Sequence, residues 1–274
     1  MDRICVYAND SKKAAMELAK AAIEQLDGLG IKSDFIDLYS FGHVTDASEH
    51  CGRLKGYSAI LCIGGDGSML RAAVLGAKSG VSVLGINAGR MGFLAETQPD
   101  EMERTLREVA AGNYMTERRM MLTARCGESA CLALNEVMLY KADYSKTVNV
   151  SIEIDGVNAG EFSCDGVIVC TGSGSTAYSL SAGGPVVHPA AKCMTITPVC
   201  PHSLTARPFV INSGSTVRLS VTGRVKANVI ADGETVESGV PRGGFISVTT
   251  APLTADFIHL RDYDYFKLVK EKLY

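Results

Sequence analysis

The apolar run Tyr57-Ser58-Ala59-Ile60-Leu61-Cys62-Ile63 stops at Gly64-Gly65-Asp66-Gly67-Ser68 and gives way to residues 69–78, patterned as a helix. That junction constrains the chain more than any other segment. A short, unbroken apolar run bounded by glycines reads as a buried strand. Three glycines around one carboxylate let the backbone approach a ligand closely and adopt φ > 0, so that successive N–H groups face phosphate oxygens. The carboxylate is the awkward member, because an anion beside phosphates repels them. Asp66 makes sense there if it binds Mg²⁺, accepts a proton from a hydroxyl or hydrogen-bonds a sugar. A tight strand-to-helix turn with no ligand accounts for the same residues.

The flanking pattern alternates strand and helix. Residues 4–8 read as a strand, and residues 12–26 as an amphipathic helix with Ala15, Leu18, Ala22 and Leu26 at helical spacing. Strands follow at 34–38, 59–63 and 81–87, the last ending in Ala88-Gly89-Arg90-Met91-Gly92-Phe93. Pro99 opens a helix that runs to about Ala111, with Gly112 at its C-terminal end. Such alternation predicts a Rossmann-like α/β domain over residues 1–112, its parallel sheet covered on both faces. After Gly112 the pattern turns to short β-like runs at 121–126, 132–140, 148–154, 161–162, 167–171, 217–221, 228–231 and 245–249. Asp155-Gly156 and Asp232-Gly233 mark hairpins. A mainly β domain is expected over 113–250. The tail, 251–274, has a strand-like start at 257–260 and a helix-like end at 265–273, and is expected to return to the first domain.

Bulk properties exclude several classes. At 274 residues, 46% hydrophobic and 21% charged, the chain has the composition of a soluble globular protein with ample core. A net charge of -3 argues against a nucleic-acid binder. The N-terminus lacks the basic start and long apolar stretch of a signal peptide, and no window reaches the length of a membrane span. Nine cysteines include no C-x-x-C pair and fall mostly in strand-like runs, so they read as reduced core thiols of a cytoplasmic protein.

A second rich segment spans residues 165–185. Gly172, Gly174 and Ala177 fit G-x-G-x-x-A, but no acidic residue occurs between Asp165 and Asp232 to hold a ribose, and the setting is not a βαβ unit. A nucleotide-binding turn rich in hydroxyls (Ser173, Ser175, Thr176, Ser179, Ser181) with one aromatic, Tyr178, is the better reading; a Ser/Gly-rich loop without a ligand is the alternative. The acid-free stretch carries Lys192, Arg207, Arg218, Arg224 and Lys226, which suits a polyphosphate in an otherwise acidic chain. Asn135-Glu136 interrupts an apolar strand, and burying either without partners costs about 1–3 kcal/mol, so a structural network or a ligand must satisfy them. His188, His202 and His259 show no metal-ligand spacing, and neither a P-loop nor a G-x-S-x-G elbow is present.

Taken in order, Gly64–Ser68, residues 85–94, Leu134-Asn135-Glu136-Val137, residues 165–185, residues 197–204 with Arg207-Pro208, and Asp232-Gly233 resemble the NAD kinases (ATP-NAD kinases). The resemblance implies an α/β domain followed by a β dinucleotide-binding domain. It further implies transfer of the γ-phosphoryl of ATP, or of another donor, to the adenosine 2′-hydroxyl of NAD. Asp66 matches the proton acceptor. Gly64, Gly65, Gly67 and Ser68 match the phosphate cradle. Asp66, Gly67, Asn135, Glu136, Asp165, Thr176, Ala177, Tyr178, Ser179 and Ser181 match NAD-binding positions. Phe93 matches the adenine pocket, and Arg71 and Lys146 match basic positions near the phosphates. Mg²⁺ is expected on the nucleotide phosphates, with no metal held by the protein alone, and a homodimer or homotetramer is implied.

The sequence departs from the family pattern at Ser68, where threonine is usual, and at Gly172, where proline would fix a turn. Ser163 stands where a basic residue is common, and Glu234 where Gln or Asn is. These departures bear on affinity and on the choice between NAD and NADH. A catalytically weak NAD(P)-binding sensor and another kinase sharing Gly-Gly-Asp-Gly are the competing readings.

Overall fold

The computed structural model describes residues 1–9, 12–37, 51–89, 92–95, 97–261 and 263–273, apart from the side chain of Cys51. The last residue of the second expected strand, Leu38, and the Arg90-Met91 pair lie outside the described residues. The chain divides into two units, Met1–Arg118 with Ala255–Tyr274, and Arg119–Thr254.

In the first unit, β1 (Arg3–Ala8), α1 (Lys13–Gly28), β2 (Lys32–Asp37), β3 (Ala59–Gly64), α2 (Asp66–Ser79), β4 (Ser82–Asn87) and α3 (Met102–Ala110) alternate as expected. The strands lie in the order β2-β1-β3-β4 and every pairing is parallel. Every residue of β3 is buried, as are all but the first residues of β1 and β4; runs with no polar alternation need cover on both faces. Ala15, Ala19, Ala22 and Leu26 of α1 and Met102, Leu106 and Val109 of α3 join Val6, Leu61 and Ile86 in one core. The sequence places the second helix at 69–78, but α2 begins three residues earlier. Gly65 caps it in an extended conformation, and its carbonyl accepts from Ser68 N (3.0 Å) and Met69 N (3.1 Å). Asp66 therefore sits in the first helical turn, where the helix dipole favours an anion.

The second unit is antiparallel. Its strands are β5 (Tyr114–Cys126, entering from the first unit), β6 (Ser129–Ala133), β7 (Glu136–Lys141), β8 (Val148–Ile154), β9 (Val157–Cys164), β10 (Gly166–Cys170), β11 (Cys193–Val199), β12 (Phe209–Asn212), β13 (Val217–Val221), β14 (Ala227–Ala231), β15 (Glu234–Val240) and the start of β16 (Phe245–Leu260). The end of β16 and α5 (Tyr265–Leu273) belong to the first unit, where Phe257 pairs with Val83. A six-stranded sheet runs β12-β11-β10-β7-β14-β15, and β13 pairs with β8 and β16 in another. Alternate residues Val148, Val150 and Ile152 of β8 and Val217, Leu219 and Val221 of β13 form one core with Val137 and Leu139 of β7 and Val167 and Val169 of β10. On the opposite face of β7 and β10, Met138, Ile168 and Cys170 form a smaller cluster with Ala182 packed on it.

The expected single strand over 132–140 is two strands in different sheets, broken at Leu134-Asn135. Both marked hairpins form, with φ of 50° and 83° at Asp155-Gly156 and 47° and 84° at Asp232-Gly233. Among the described residues no helix is long and apolar enough to cross a membrane. Cys5, Cys62, Cys131, Cys164 and Cys170 are buried and unbridged. Burial pushes the thiols of Cys5 and Cys164 up to about 12 and that of Cys170 to about 11, so they stay protonated.

Candidate functional site

The order β2-β1-β3-β4 reverses direction between β1 and β3. Open parallel sheets bind ligands at such a point, outside the carboxyl ends of the strands. A cavity of about 260 Å³ opens there, lined by Asn9 after β1, Gly64, Gly65 and Ser68 after β3, Asn87 to Gly89 after β4, and Lys12. It is smaller than the roughly 300–1,000 Å³ of a pocket that buries a whole ligand, and suits part of one. Asn87 is fully buried; its Oδ1 accepts from Gly89 N at 2.9 Å, while its Nδ2 has no partner among the described residues.

Next in sequence to the cavity-lining Gly65, Asp66 is held by the loop after β4. Oδ2 accepts from Phe93 N (2.9 Å), and Oδ1 from Leu94 N (3.0 Å) and Ala95 N (3.4 Å). Gly92 makes this possible, because a Cβ at that position would overlap the Asp66 carboxylate. Half-buried Phe93 lies with Lys272 Nζ 5.9 Å from its ring centre. Arg71 hydrogen-bonds the buried Tyr7, whose hydroxyl burial pushes well above the usual tyrosine range.

In the second unit, Asp232 holds the strand break the same way. Oδ2 accepts from Leu134 N (2.7 Å), and Oδ1 from Asn135 N (2.9 Å) and Glu136 N (3.0 Å). The turn after β10 locks onto the same segment: Thr171 Oγ1 donates to Leu134 O (2.6 Å) and accepts from Gly174 N (3.1 Å). Gly174 lies so close to the Asn135 backbone that no Cβ would fit. Asn135 Oδ1, Glu136 Oε2 and Ser173 Oγ are buried with no partner among the described residues. Unpaired buried polar atoms cost free energy, so these three are where a ligand or ordered water would supply hydrogen bonds. Burial, and secondly the charge of Asp232, pushes the Glu136 carboxyl up to about 8; burial pushes Asp232 up to about 6 against its three N–H bonds.

The remaining candidates separate. Asp165 pairs with Lys141 Nζ at 2.7 Å, and Tyr178, exposed and hydrogen-bonded to Tyr140, feels the charge of Asp165. Thr176 Oγ1 donates to Ser173 O at 3.3 Å, and Ala177 and Tyr178 join the 3-10 turn Ser173–Thr176 to the four-residue helix Tyr178–Ser181. Ser181 is exposed, whereas Ser179 is fully buried and its hydroxyl is engaged by Thr197 at 2.9 Å. Lys146 is exposed and paired with Asp143 at 3.2 Å. Asn87, Lys141 and Asp232 stand in these clusters without being singled out by sequence motif as binding residues. Asn87 gave a usable signal, a polar residue ending an apolar strand; the partners of Asp232 lie 96–98 residues away in sequence. No group of three or more His, Cys, Asp or Glu side chains is placed to hold a metal among the described residues.

Family profiles for the ATP-NAD kinase N-terminal domain and the ATP-NAD kinase C-terminal domain match residues 6–114 and 134–260. A NAD kinase of Heliobacterium modesticaldum is 34% identical over 281 aligned positions, covering 100% of this chain and 99% of that protein. A NAD kinase of Escherichia coli is 37% identical over 216, covering 77% of this chain and 74% of that protein. An NAD kinase of Archaeoglobus fulgidus, solved in complex with ATP, superposes with a TM-score of 0.80 at 27% identity over 98% of both chains. A yeast NADH kinase complexed with NADH shares the fold, with a TM-score of 0.84 at 22% identity over 100% of this chain and 87% of that one. With both halves matched and relatives above 30% identity over most of its length, the chain belongs to the NAD kinase family, and is a kinase.

Proposed function

We propose that the protein transfers the γ-phosphoryl of ATP to the adenosine 2′-hydroxyl of NAD, giving NADP, with Asp66 as general base. The geometry of Asp66 carries this reading. A carboxylate offers about four lone-pair positions. Three of those on Asp66 are filled by backbone N–H groups, which fixes both oxygens and leaves one position on Oδ2 for a hydroxyl hydrogen. As the O2′–H bond breaks, its proton passes to Asp66 and the O2′–Pγ bond forms. The bond from Pγ to the bridging oxygen breaks, and the nucleoside diphosphate leaves with that electron pair.

Gly64, Gly65, Gly67 and Ser68 cradle donor phosphates at the start of α2, where helix N–H groups without intrahelical partners favour anions. The donor brings Mg²⁺ on its phosphates, which neutralises charge there. Asn135 and Glu136 hold the dinucleotide, since their buried oxygens call for hydrogen-bond donors such as ribose hydroxyls or an amide. Asp165, Thr176, Ala177, Tyr178 and Ser181 extend that contact, with Phe93 against the adenine. Arg71 and Ser179, engaged by Tyr7 and Thr197, support the site from behind, and Lys146 reaches a phosphate from the surface. The family resemblance supports homodimeric or homotetrameric assembly, and the cysteine pattern of the sequence suits a cytoplasmic setting.

The test is NADP formation from NAD, ATP and Mg²⁺, read by an NADP-specific dehydrogenase, for wild type and Asp66→Asn together. A positioned base contributes about 10²–10⁴-fold, so the variant is expected to fold, bind NAD and lose at least about two orders of magnitude in turnover. Near-normal turnover by a folded variant would remove Asp66 as the base. A wild type that binds NAD and makes no product would favour the sensor reading.

A further inference from the structure

We propose that Asp232 is a positioning residue for dinucleotide recognition: its carboxylate fixes the three consecutive N–H groups of Leu134, Asn135 and Glu136, and with them the direction in which Asn135 Oδ1 and Glu136 Oε2 face the ligand. The inference rests on the kinase reading only for the identity of that ligand. It begins from the break between β6 and β7. Where the chain leaves one sheet for the other, Leu134, Asn135 and Glu136 present their N–H groups to Asp232 rather than to a neighbouring strand. Asp232 in turn is held by its own hairpin. Its φ is 47°, the left-handed region that Asp tolerates better than most residues, and its N–H donates to Glu136 O at 3.0 Å. Four hydrogen bonds therefore tie one residue to one tripeptide, and two of the tripeptide's side chains carry unpartnered buried oxygens.

Asparagine at 232 would keep the shape but lose the charge and replace one acceptor by a donor, which faces a backbone N–H. Hydrogen bonds to charged groups are the strong ones, and the tripeptide would lose its anchor while the rest of the core stayed in place. The charged and titratable groups around Glu136 are Asp232, Glu234 beyond it and Cys170, which faces Glu136 in the β7–β10 register. Cys170 is neutral below about 11, so over the neutral range Asp232 is the charge that opposes ionisation of Glu136.

The experiment is calorimetric titration of NAD into wild type and Asp232→Asn from pH 5.5 to 9, with kcat and KM for NADP formation in parallel. The expected result is a Kd for NAD raised at least about tenfold, with kcat changed by less than about threefold. The inflection that Glu136 contributes to NAD affinity moves to lower pH, because the opposing charge has gone. A merely structural role lowers the melting temperature and leaves the Kd for NAD within about threefold of wild type. A folded variant with wild-type Kd overturns the proposal. Should the variant not fold, wild type serves: the amide resonances of Leu134, Asn135 and Glu136 should titrate together as Asp232 protonates near pH 6, with NAD affinity falling in step. Independent titrations, or an affinity indifferent to that step, overturn it. Since NAD binding is read directly, absence of NADP from a wild type that binds NAD would remove the kinase reading and leave the positioning role standing.

Discussion

Asp66 and Asp232 make the same clamp in two different settings. Each takes one backbone N–H on Oδ2 and the next two along the chain on Oδ1, over Phe93-Leu94-Ala95 for Asp66 and Leu134-Asn135-Glu136 for Asp232. Asp66 opens a helix after a parallel strand, half-buried, with Gly92 opposite it and the cavity-lining Gly65 before it in the chain. Asp232 sits in a hairpin and is so desolvated that its carboxyl is pushed up to about 6, next to a second buried carboxyl pushed up to about 8. One clamp fixes a carboxylate that keeps one lone-pair position on Oδ2; the other fixes a backbone whose Asn135 and Glu136 side chains carry buried oxygens with no partner among the described residues. In the proposed reading the same hydrogen-bond pattern serves chemistry in one unit and positioning in the other, where a second carboxyl lies alongside.

The largest effect that would break this comparison is loss of the reacting carboxylate, the two or more orders of magnitude expected for Asp66→Asn. Gly92→Ala comes next. It keeps the carboxylate but puts a Cβ in its place, and displacement of a reacting group by about 1 Å costs about 10²-fold, so kcat should fall by that order while NAD binding changes little. Steady-state kinetics with a parallel NAD titration checks it, and unchanged kcat would mean that Asp66 need not be held where the clamp puts it.

Glu136→Gln sharpens the contrast on the other side. The fold raises the Glu136 carboxyl from 4.5 to about 8, so the folded state holds its proton more tightly than the unfolded chain. The stability from that group is full below about pH 4.5 and is lost as pH rises toward 8. Glutamine never ionises, so the variant should melt at least about 3 °C higher than wild type at pH 8 and show little gain at pH 5, while binding NAD more weakly. Calorimetry at the two pH values decides; an equal difference at both would remove the desolvated acid from the account. The smallest effect belongs to Lys146→Ala. Its exposed pair with Asp143 leads us to expect a melting change below about 1 °C and a rise in KM for NAD of less than about threefold.

The first unit was the more legible in sequence, and the reason is physical. Strands buried on both faces leave unbroken apolar runs, and β1, β3 and β4 stand where those runs end. The second unit mixes strands that alternate with strands covered on both faces. β11 carries Thr195 and Thr197, both buried within an apolar run, and went unread, whereas the alternating β8 and β13 were found. The break at Leu134-Asn135 was invisible because no Gly or Pro marks it; a carboxylate 97 residues away in sequence replaces the turn signal. Asn135 and Glu136 were legible as a polar interruption. Lys141 was not, because nothing local distinguishes a lysine paired with Asp165 from one pointing into water.

The most direct measurement of the central claim is the phosphorus NMR spectrum of a reaction containing the wild-type protein, NAD, ATP and Mg²⁺. The account predicts one new phosphomonoester resonance coupled to the adenosine H2′ proton, growing as ADP appears. An ester on any other hydroxyl, or no new resonance from a folded protein that binds NAD, would contradict it.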